Sequence, residues 1–520
     1  MSVMDTRDII DASTLTGDKT IDADVVIVGT GAGGGFTAET LTRAGLKVVM
    51  VEEGAYHTAK TFSQNEAIAT AMLYQQGGAQ KTKDGGILVL QGRCVGGGTT
   101  VNWTTSLNTP GFTLDTWAGD YGLGDMARDN LAPYFTEAGE RLGIAPWVEV
   151  EPNNNNGKLA EGCAARGIEW SRVLRNVRHC ANTGLCGLGC PVNAKQSQMV
   201  TTVPWALDNG ASIVVKARAK KLIHDGKRIS ALEVAALDGA TVQETGRKIT
   251  IRARHFVLSA GAIRTPGLMM ASDLPDPSGK VGKRTFLHPV VPVVGVYKEA
   301  IDGFHGAPQT VYSDHYITPK SDRMGFKLET IPTTSMILSS FLDKRIGKDH
   351  AERMKQLPHY ACFNALHGDG HHAGEACGTV EMTDNGPVVD YPITDLLKRS
   401  ARYAIEELAE LQFAAGAEKV SCWHVDAPDF TSMSAVKSWV ADADMGLLKQ
   451  LYGSAHVMGG APMGVDEKSG VVDADGRHFA IENLSVHDAS IFPTSVGLNP
   501  QYTIYATALR NSKTLAAALS

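Results

Sequence analysis

The pattern of hydrophobic and polar positions near the start of the chain predicts a strand, a helix and a second strand. Residues 25–28 form a short apolar run of valine and isoleucine, which is typical of a buried strand. Residues 36–44 contain helix formers and stop before Gly45, and a second apolar run at residues 48–51 predicts the next strand. This alternation indicates an α/β fold.

Further elements are predicted along the chain. Residues 248–259 alternate as a strand does, and a glycine-containing turn follows them. Thr394 is placed to cap a helix that runs to Ala415 and ends at Gly416. Residues 153–156 are four asparagines, for which we expect an exposed loop.

Composition and charge narrow the class of protein. The 520 residues are 43% hydrophobic and 20% charged, as expected of a globular protein. The net charge is −7 with no long block of like charge, so we expect no nucleic-acid partner. No run reaches the ~18 apolar residues of a membrane-spanning helix. The first twenty residues lack the basic start and apolar centre of a signal peptide, so a cytoplasmic enzyme is expected.

A glycine turn joins the first predicted strand to the helix. In Gly29-Thr30-Gly31-Ala32-Gly33-Gly34, the first glycine permits a tight turn, the second lets backbone approach a pyrophosphate, and the third allows close packing of helix on strand. The helix N-terminus adds partial positive charge. Glu52 ends the second strand, where its carboxylate can accept hydrogen bonds from a ribose, and Glu53 is the alternative. These residues predict a dinucleotide site without a 2′-phosphate, but they do not separate NAD from FAD.

Three later motifs resemble the signatures of the glucose-methanol-choline (GMC) flavin oxidoreductases. They are residues 92–102 (GRCVGGGTTVN), residues 259–266 (SAGAIRTP), and the terminal block of residues 484–490 and 493–500. The resemblance covers essentially the whole chain and implies FAD. It implies a discontinuous Rossmann-like FAD-binding domain, from residues 1–105, 205–290 and 455–520. A second α+β domain for substrate, built on an antiparallel sheet, is expected from residues 106–204 and 291–454.

The resemblance also implies contacts with the cofactor. Gly96, Gly97 and Gly98 would lie against the isoalloxazine ring, and Asn102 would offer an amide to its polar edge. Ala219 would approach the adenine, and Asp488 and Ala489 the ribityl and pyrophosphate groups. Further cofactor contacts are expected at Arg93, Ala260, Gly261, Asn499, Pro500 and Gln501.

The flavin is expected to be non-covalent. No histidine stands between His57 and His179 to form the tether that some members of the family have. A thioether to Cys94 is the alternative that we do not favour.

His456 and Asn499 match the catalytic positions of the family. Alcohol oxidation needs a base beside flavin N5, and imidazole suits that task because its pKa lies near neutral pH. The Asn499 amide would stabilise the substrate oxygen. The nearest branches are the long-chain alcohol oxidases and the bacterial flavin sugar dehydrogenases, and we expect a bulky or apolar alcohol, with apolar segments at residues 324–328 and 336–342. Oxygen or another acceptor would reoxidise the flavin.

Rival interpretations follow from the same motifs. One is a sugar or polyol dehydrogenase of the same fold with an iron-sulfur cluster. Another is a lyase that keeps its flavin but does no redox chemistry. A third, from a different class, is a nucleotide-binding protein without turnover.

Two clusters of possible metal ligands remain. Cys180, Cys186 and Cys190 lie within eleven residues, and could hold an iron-sulfur cluster, bind zinc with His179, or simply pack in a turn. His367, Asp369, His371 and His372 share one glycine-rich loop, and a surface turn is favoured over a metal site there.

Overall fold

The computed structural model describes residues 7–341 and 346–520. Residues 1–6, part of the segment inspected for a signal peptide, and Leu342 of the second apolar segment lie outside the described residues. The strands are β1 Asp8–Asp11, β2 Lys19–Val28, β3 Val48–Val51, β4 Ile87–Val89, β5 Ile144–Pro146, β6 Ser171–Arg172, β7 Leu174–Asn176, β8 Ser212–Val215, β9 Ala217–His224, β10 Ile229–Leu237, β11 Glu244–Leu258, β12 Thr285–Phe286, β13 Val290–Val296, β14 Val311–Tyr312, β15 Phe326–Thr330, β16 Tyr360–His367, β17 Thr379–Thr383, β18 Gly386–Asp390, β19 Lys419–Cys422, β20 Tyr452–Ser454, β21 Met458–Gly459 and β22 Leu484–Val486.

Helices surround these strands. The α-helices are α1 Ala32–Arg43, α2 Glu66–Leu73, α3 Gly98–Val101, α4 Gly111–Gly119, α5 Arg128–Leu142, α6 Asn154–Ala165, α7 Thr202–Asp208, α8 Arg264–Ala271, α9 Ser335–Phe341, α10 Lys348–Lys355, α11 Asp395–Ala414, α12 Met433–Asp442 and α13 Gln501–Leu519. Short 3₁₀ turns are Ala12–Thr14, Gln75–Gly78, Gly124–Met126, Cys186–Leu188, Leu357–His359 and Ala489–Ile491.

The first sheet has eight strands and is mainly parallel. Its order is β1-β8-β3-β2-β11-β10-β9, with β22 paired to β11. The strand, helix and strand predicted at its centre are confirmed as β2, α1 and β3. Helix α1 begins at Ala32, earlier than expected, because the glycines of the turn form its first turn. The fold class predicted from the sequence is therefore confirmed.

The second sheet is largely antiparallel, as predicted, with one parallel edge. Its order is β15-β16-β13-β20-β4, and β19 also pairs with β13. Helices α6 and α11 cover one face, where Phe363 and Leu408 belong to the same buried cluster. Thr394 caps α11 as predicted, by accepting from the Leu397 amide. Because side chains alternate along a strand, Asn364 and Leu366 of β16 point to the opposite face.

The two sheets draw their strands mostly from different segments of the chain. Every strand of the first sheet comes from residues 1–105, 205–290 or 455–520. Strand β4, inside the first of these segments, joins the second sheet instead. Helices α4 and α5, inside residues 106–204, pack on the end of the chain, where Trp117 lies against Phe492 and Phe135 against Tyr502.

The asparagine tract was predicted as an exposed loop, and that prediction is wrong. Asn153 caps α6 by accepting from the Asn156 amide, and Asn156 itself is fully buried. The Asn156 side chain donates to the carbonyl of Pro308 and accepts from the amide of Thr310. Asparagine is a strong helix cap, and here its amides also satisfy the backbone of a neighbouring loop.

No helix within residues 7–341 and 346–520 is both long and apolar enough to cross a membrane.

Candidate active site

A long cavity connects the two sheets. Its volume is about 1020 Å³, at the upper end of the range for ligand cavities. One end is lined by the glycine turn and by Glu52, where β2 and β3 finish, and the other by Glu329 and Leu366 of the second sheet. The predicted cofactor and catalytic residues therefore meet along one continuous space.

The glycine turn forms the backbone wall of the first end. Gly31 caps α1 without any side-chain hydrogen bond, so amides of the first turn are available to a ligand. Gly34 does not line the cavity, and a Cβ there would overlap the carbonyl of Gly29. Its role is the close packing predicted for the third glycine.

The second glycine run is placed differently from the expectation in one respect. Gly97 and Gly98 line the cavity, whereas Gly96 does not. A Cβ on Gly96 would overlap the hydroxyl of Thr100 and come too close to Met199. Gly96 therefore packs against protein atoms and not against the cavity.

The two acidic candidates have different surroundings. Glu52 accepts from the Thr30 hydroxyl at 2.6 Å and from the Gly54 amide at 3.0 Å, and burial raises the pKa of Glu52. Burial acts the same way on Glu53, but arginines outweigh it and hold the pKa of Glu53 below its ordinary value. The three guanidinium groups within 3.5 Å of the Glu53 carboxylate belong to Arg93, Arg218 and Arg264. Both acids line the cavity, and the assignment of Glu52 to the ribose stays a prediction.

The remaining predicted cofactor residues all line the cavity: Ala32, Gly33, Arg93, Asn102, Ala219, Ala260, Gly261, Asp488, Ala489, Asn499, Pro500 and Gln501. Asp488 accepts from the Gly261 amide at 2.9 Å and from the Thr265 hydroxyl at 2.6 Å, which ties two motifs together. Asn102 directs its amide nitrogen to Gln501 at 2.5 Å.

The other end of the cavity brings His456 and Asn499 together with two residues that the sequence reasoning missed. Lys327 and Glu329 are buried on β15, and their ammonium and carboxylate groups form an ion pair. Lys327 also donates to the side-chain oxygen of Asn499, and Asn499 donates to Glu329 at 3.3 Å. The site therefore contains a buried, charge-balanced network beside the predicted base.

The signal for these two residues is present in the sequence. In Phe326-Lys327-Leu328-Glu329, polar and apolar residues alternate, which places lysine and glutamate on one face of the strand. The prediction of an apolar segment at residues 324–328 does not include this charged face.

His456 is held neutral by its surroundings. Burial lowers the pKa of His456 to about 4, with Glu329 opposing this effect and Lys327 adding to it. An imidazole with so low a pKa is uncharged at neutral pH, with one nitrogen that donates a hydrogen bond and one that accepts.

His288 is a further imidazole beside His456. Its Nε2 accepts from the amide of Gly497 at 3.1 Å, so its own ring proton lies on Nδ1 when His288 is neutral. That nitrogen faces Nδ1 of His456 at 3.4 Å. In this arrangement Nδ1 of His456 is the acceptor, and the His456 proton lies on Nε2.

The histidine-rich loop was predicted as a surface turn, and that prediction is wrong. His367 and Asp369 are buried, and His371 packs edge-on against Phe112. Asp369 accepts from the Leu287 amide and from the hydroxyl of Tyr391, both at 2.8 Å. Its carboxylate holds the chain just before His288, so the loop supports the active site from behind.

The three cysteines are not arranged as ligands of a metal ion in the described part of the chain. No group of three or more histidine, cysteine, aspartate or glutamate side chains within residues 7–341 and 346–520 is arranged to hold a metal ion. The Arg175 guanidinium instead lies 4.0 Å from the sulfur of Cys180 and 3.8 Å from that of Cys186.

A mainly parallel sheet that carries a glycine turn and faces an antiparallel sheet across one cavity defines a class of dinucleotide-binding α/β proteins. Models of the GMC oxidoreductase family match residues 70–290 and 375–508, and the chain belongs to this family.

Relatives agree with this assignment. An uncharacterized GMC-type oxidoreductase of Mycobacterium tuberculosis is 32% identical, over 94% of this chain and 75% of its own length. A long-chain-alcohol oxidase of Arabidopsis thaliana is 31% identical over 94% of this chain, which spans 66% of that relative's length.

Solved structures show the same fold. Formate oxidase of Aspergillus oryzae superimposes with a TM-score of 0.73 at 16% identity, covering 97% of this chain and 99% of that one. Pyridoxine 4-oxidase of Mesorbium loti gives 0.67 at 18% identity, covering 94% and 98%.

Proposed function

We propose that this protein binds FAD non-covalently and oxidises the CH–OH group of a bulky or apolar alcohol to an aldehyde or ketone. The observation that carries the proposal is the continuous cavity, which joins a dinucleotide-type glycine turn to the pair His456 and Asn499.

The residues present fit FAD. A Cβ on Gly98 would meet no atom within 4 Å, so the wall is open there for a flat ring. The pyrophosphate would lie at the start of α1, and Glu52 is placed for the ribose. Cys94 is fully buried and does not line the cavity, and burial raises the pKa of its thiol to about 12. These features support a flavin held without a thioether.

When bound, FAD supplies the acceptor for a hydride, and the chain supplies the groups around the substrate oxygen. His456 accepts the hydroxyl proton as the carbon-hydrogen bond breaks, and Asn499 donates a hydrogen bond to the oxygen. To accept at Nε2, His456 needs its own proton on Nδ1. With a proton on Nδ1, His456 would no longer accept from His288 across the 3.4 Å contact.

The walls near His456 favour an apolar substrate. Leu366 and Val290 of the second sheet, and Ile331 just after β15, line the cavity together with Trp103 and Trp423. Burying such surface around an alkyl group contributes about 25 cal/mol per Å². The names of the Arabidopsis relatives, long-chain-alcohol oxidases at about 30% identity, point in the same direction. Oxygen or another acceptor would then reoxidise the flavin.

The test is anaerobic mixing of the purified protein with long-chain, aromatic and sugar alcohols, followed by absorption. We expect an oxidised flavin spectrum that bleaches with apolar alcohols. A flavin that stays oxidised with every alcohol would contradict the proposal and favour the lyase. Protein without flavin that cannot be loaded with FAD would favour a nucleotide-binding protein without turnover.

A further inference from the structure

We propose that Lys327 and Glu329 are positioning residues that fix the Asn499 carboxamide with its oxygen toward Lys327, so that one N–H is left to donate to the substrate oxygen. This inference rests on the proposed function, because it concerns how the same site orients an alcohol.

The first step is the placement of the pair. Lys327 and Glu329 are two residues apart on β15, so their side chains share one face of the sheet. Lys327 is fully buried, and its ammonium group reaches Glu329 and Asn499. Breaking a buried ion pair is strongly destabilising, so this network is a fixed part of the fold.

The second step is the chemistry of the contacts. An ammonium group can only donate hydrogen bonds, and an ionised carboxylate can only accept them. The atom of Asn499 that faces Lys327 must therefore be its oxygen, and the atom 3.3 Å from Glu329 must be its nitrogen. An amide that is otherwise ambiguous has one orientation here.

The third step concerns what is left for a ligand. The oxygen of Asn499 accepts from Lys327, which does not line the cavity, and one of the two amide protons is directed to Glu329. Asn499 lines the cavity, so the second proton is the group available to an oxygen bound there. An alcohol oxygen that accepts from this proton has its own hydroxyl proton directed away from the amide, to His456.

The charged groups around His456 give this network a second measurable effect, on the pKa of His456. Glu329 and Lys327 face His456 from β15, and His288 faces it from the segment before β13. His371 and His367 lower the pKa of His288, and neither is among the groups that shift the pKa of His456. Removing the Glu329 charge should lower the pKa of His456, and removing the Lys327 charge should raise it.

The experiment compares Lys327→Met, Asn499→Ala and the double variant, all as FAD-loaded protein. We expect Lys327→Met to slow flavin reduction by apolar alcohol about 100-fold, with little change in the alcohol concentration for half-maximal rate. In the Asn499→Ala background the same change should have almost no further effect, because Lys327 acts through Asn499. The control is Lys83→Met, which breaks an exposed pair with Glu381 and should reduce at the wild-type rate.

An unchanged rate in Lys327→Met, or an equal loss with and without Asn499, would overturn the proposal. If Lys327→Met does not fold, the variant Lys327→Met/Glu329→Gln removes both charges of the pair. It is then compared with and without Asn499→Ala in the same way.

A second measurement does not depend on turnover. Histidine-selective NMR of the loaded protein, assigned with His456→Gln, gives the pKa of His456 in Lys327→Met and in Glu329→Gln. Shifts in opposite directions are expected, and shifts in the same direction would overturn the proposal. If no alcohol reduces the wild-type flavin but the opposite shifts are seen, the proposed function fails while the network stands.

Discussion

The two ends of the cavity are built in opposite ways. At the cofactor end, backbone and glycines form the walls, and the acidic side chains are engaged with Thr30 or with arginines. At the substrate end, side chains form the site, and Lys327, Glu329, Asn499 and His456 come from three separate parts of the chain. One end is a shaped surface, and the other is a set of charges and hydrogen-bonding groups.

This difference separates binding from chemistry. The backbone wall would bind the same cofactor for any reaction. The buried network, in contrast, determines toward which residue the hydroxyl proton of the substrate points. Changes at the cofactor end should therefore remove the flavin, and changes at the substrate end should leave the flavin in place and slow its reduction.

The largest effect is expected from Gly98→Leu. A side chain at this position meets no protein atom within 4 Å and projects into space that we assign to the flavin. The protein should fold and be purified without flavin, as measured by the loss of the visible absorption that a bound oxidised flavin gives. Gly157→Leu, in α6 and also with open space around its Cβ, is the matched control and should keep its flavin. Full flavin content in Gly98→Leu would contradict the assignment of this wall.

Asn499→Ala should act on the other end alone. We expect wild-type flavin content and a reduction rate lower by about 10² to 10³, because one donor to the substrate oxygen is lost. Stopped-flow absorption under anaerobic conditions measures the rate, and the exposed Asn209→Ala is the control. Loss of flavin in Asn499→Ala would show that the two ends are not separable.

The smallest effect is expected in the pH dependence of the flavin reduction rate. Burial lowers the pKa of His456 to about 4, and protonated imidazole cannot accept a proton. The reduction rate should be level around neutral pH and should fall only as pH drops through about 4. An acid limb near the ordinary histidine pKa of about 6.5 would mean that His456 is exposed to water at this end.

The strand, glycine turn and helix at the first end of the cavity could be predicted from the sequence, because a glycine turn between a strand and a helix is a local pattern. Thr394 and its helix are equally local. The substrate end was predicted only where a family motif names a residue, at His456 and Asn499. Lys327, Glu329 and His288 were missed, since their roles depend on which strands pair in the second sheet.

The wrong predictions share a cause. Asn156 and Asp369 are polar residues in polar stretches, and composition alone places both at the surface. In the fold each is buried because its side chain satisfies backbone amides of a distant segment. Composition carries no information about such partners.

The most direct test of the central claim is anaerobic flavin reduction by an apolar alcohol in His456→Ala, with His359→Ala as a control outside the cavity. We expect His456→Ala to keep its flavin and to be reduced about 10² to 10⁴ times more slowly than wild type, with His359→Ala unchanged. Wild-type reduction in His456→Ala would contradict the account.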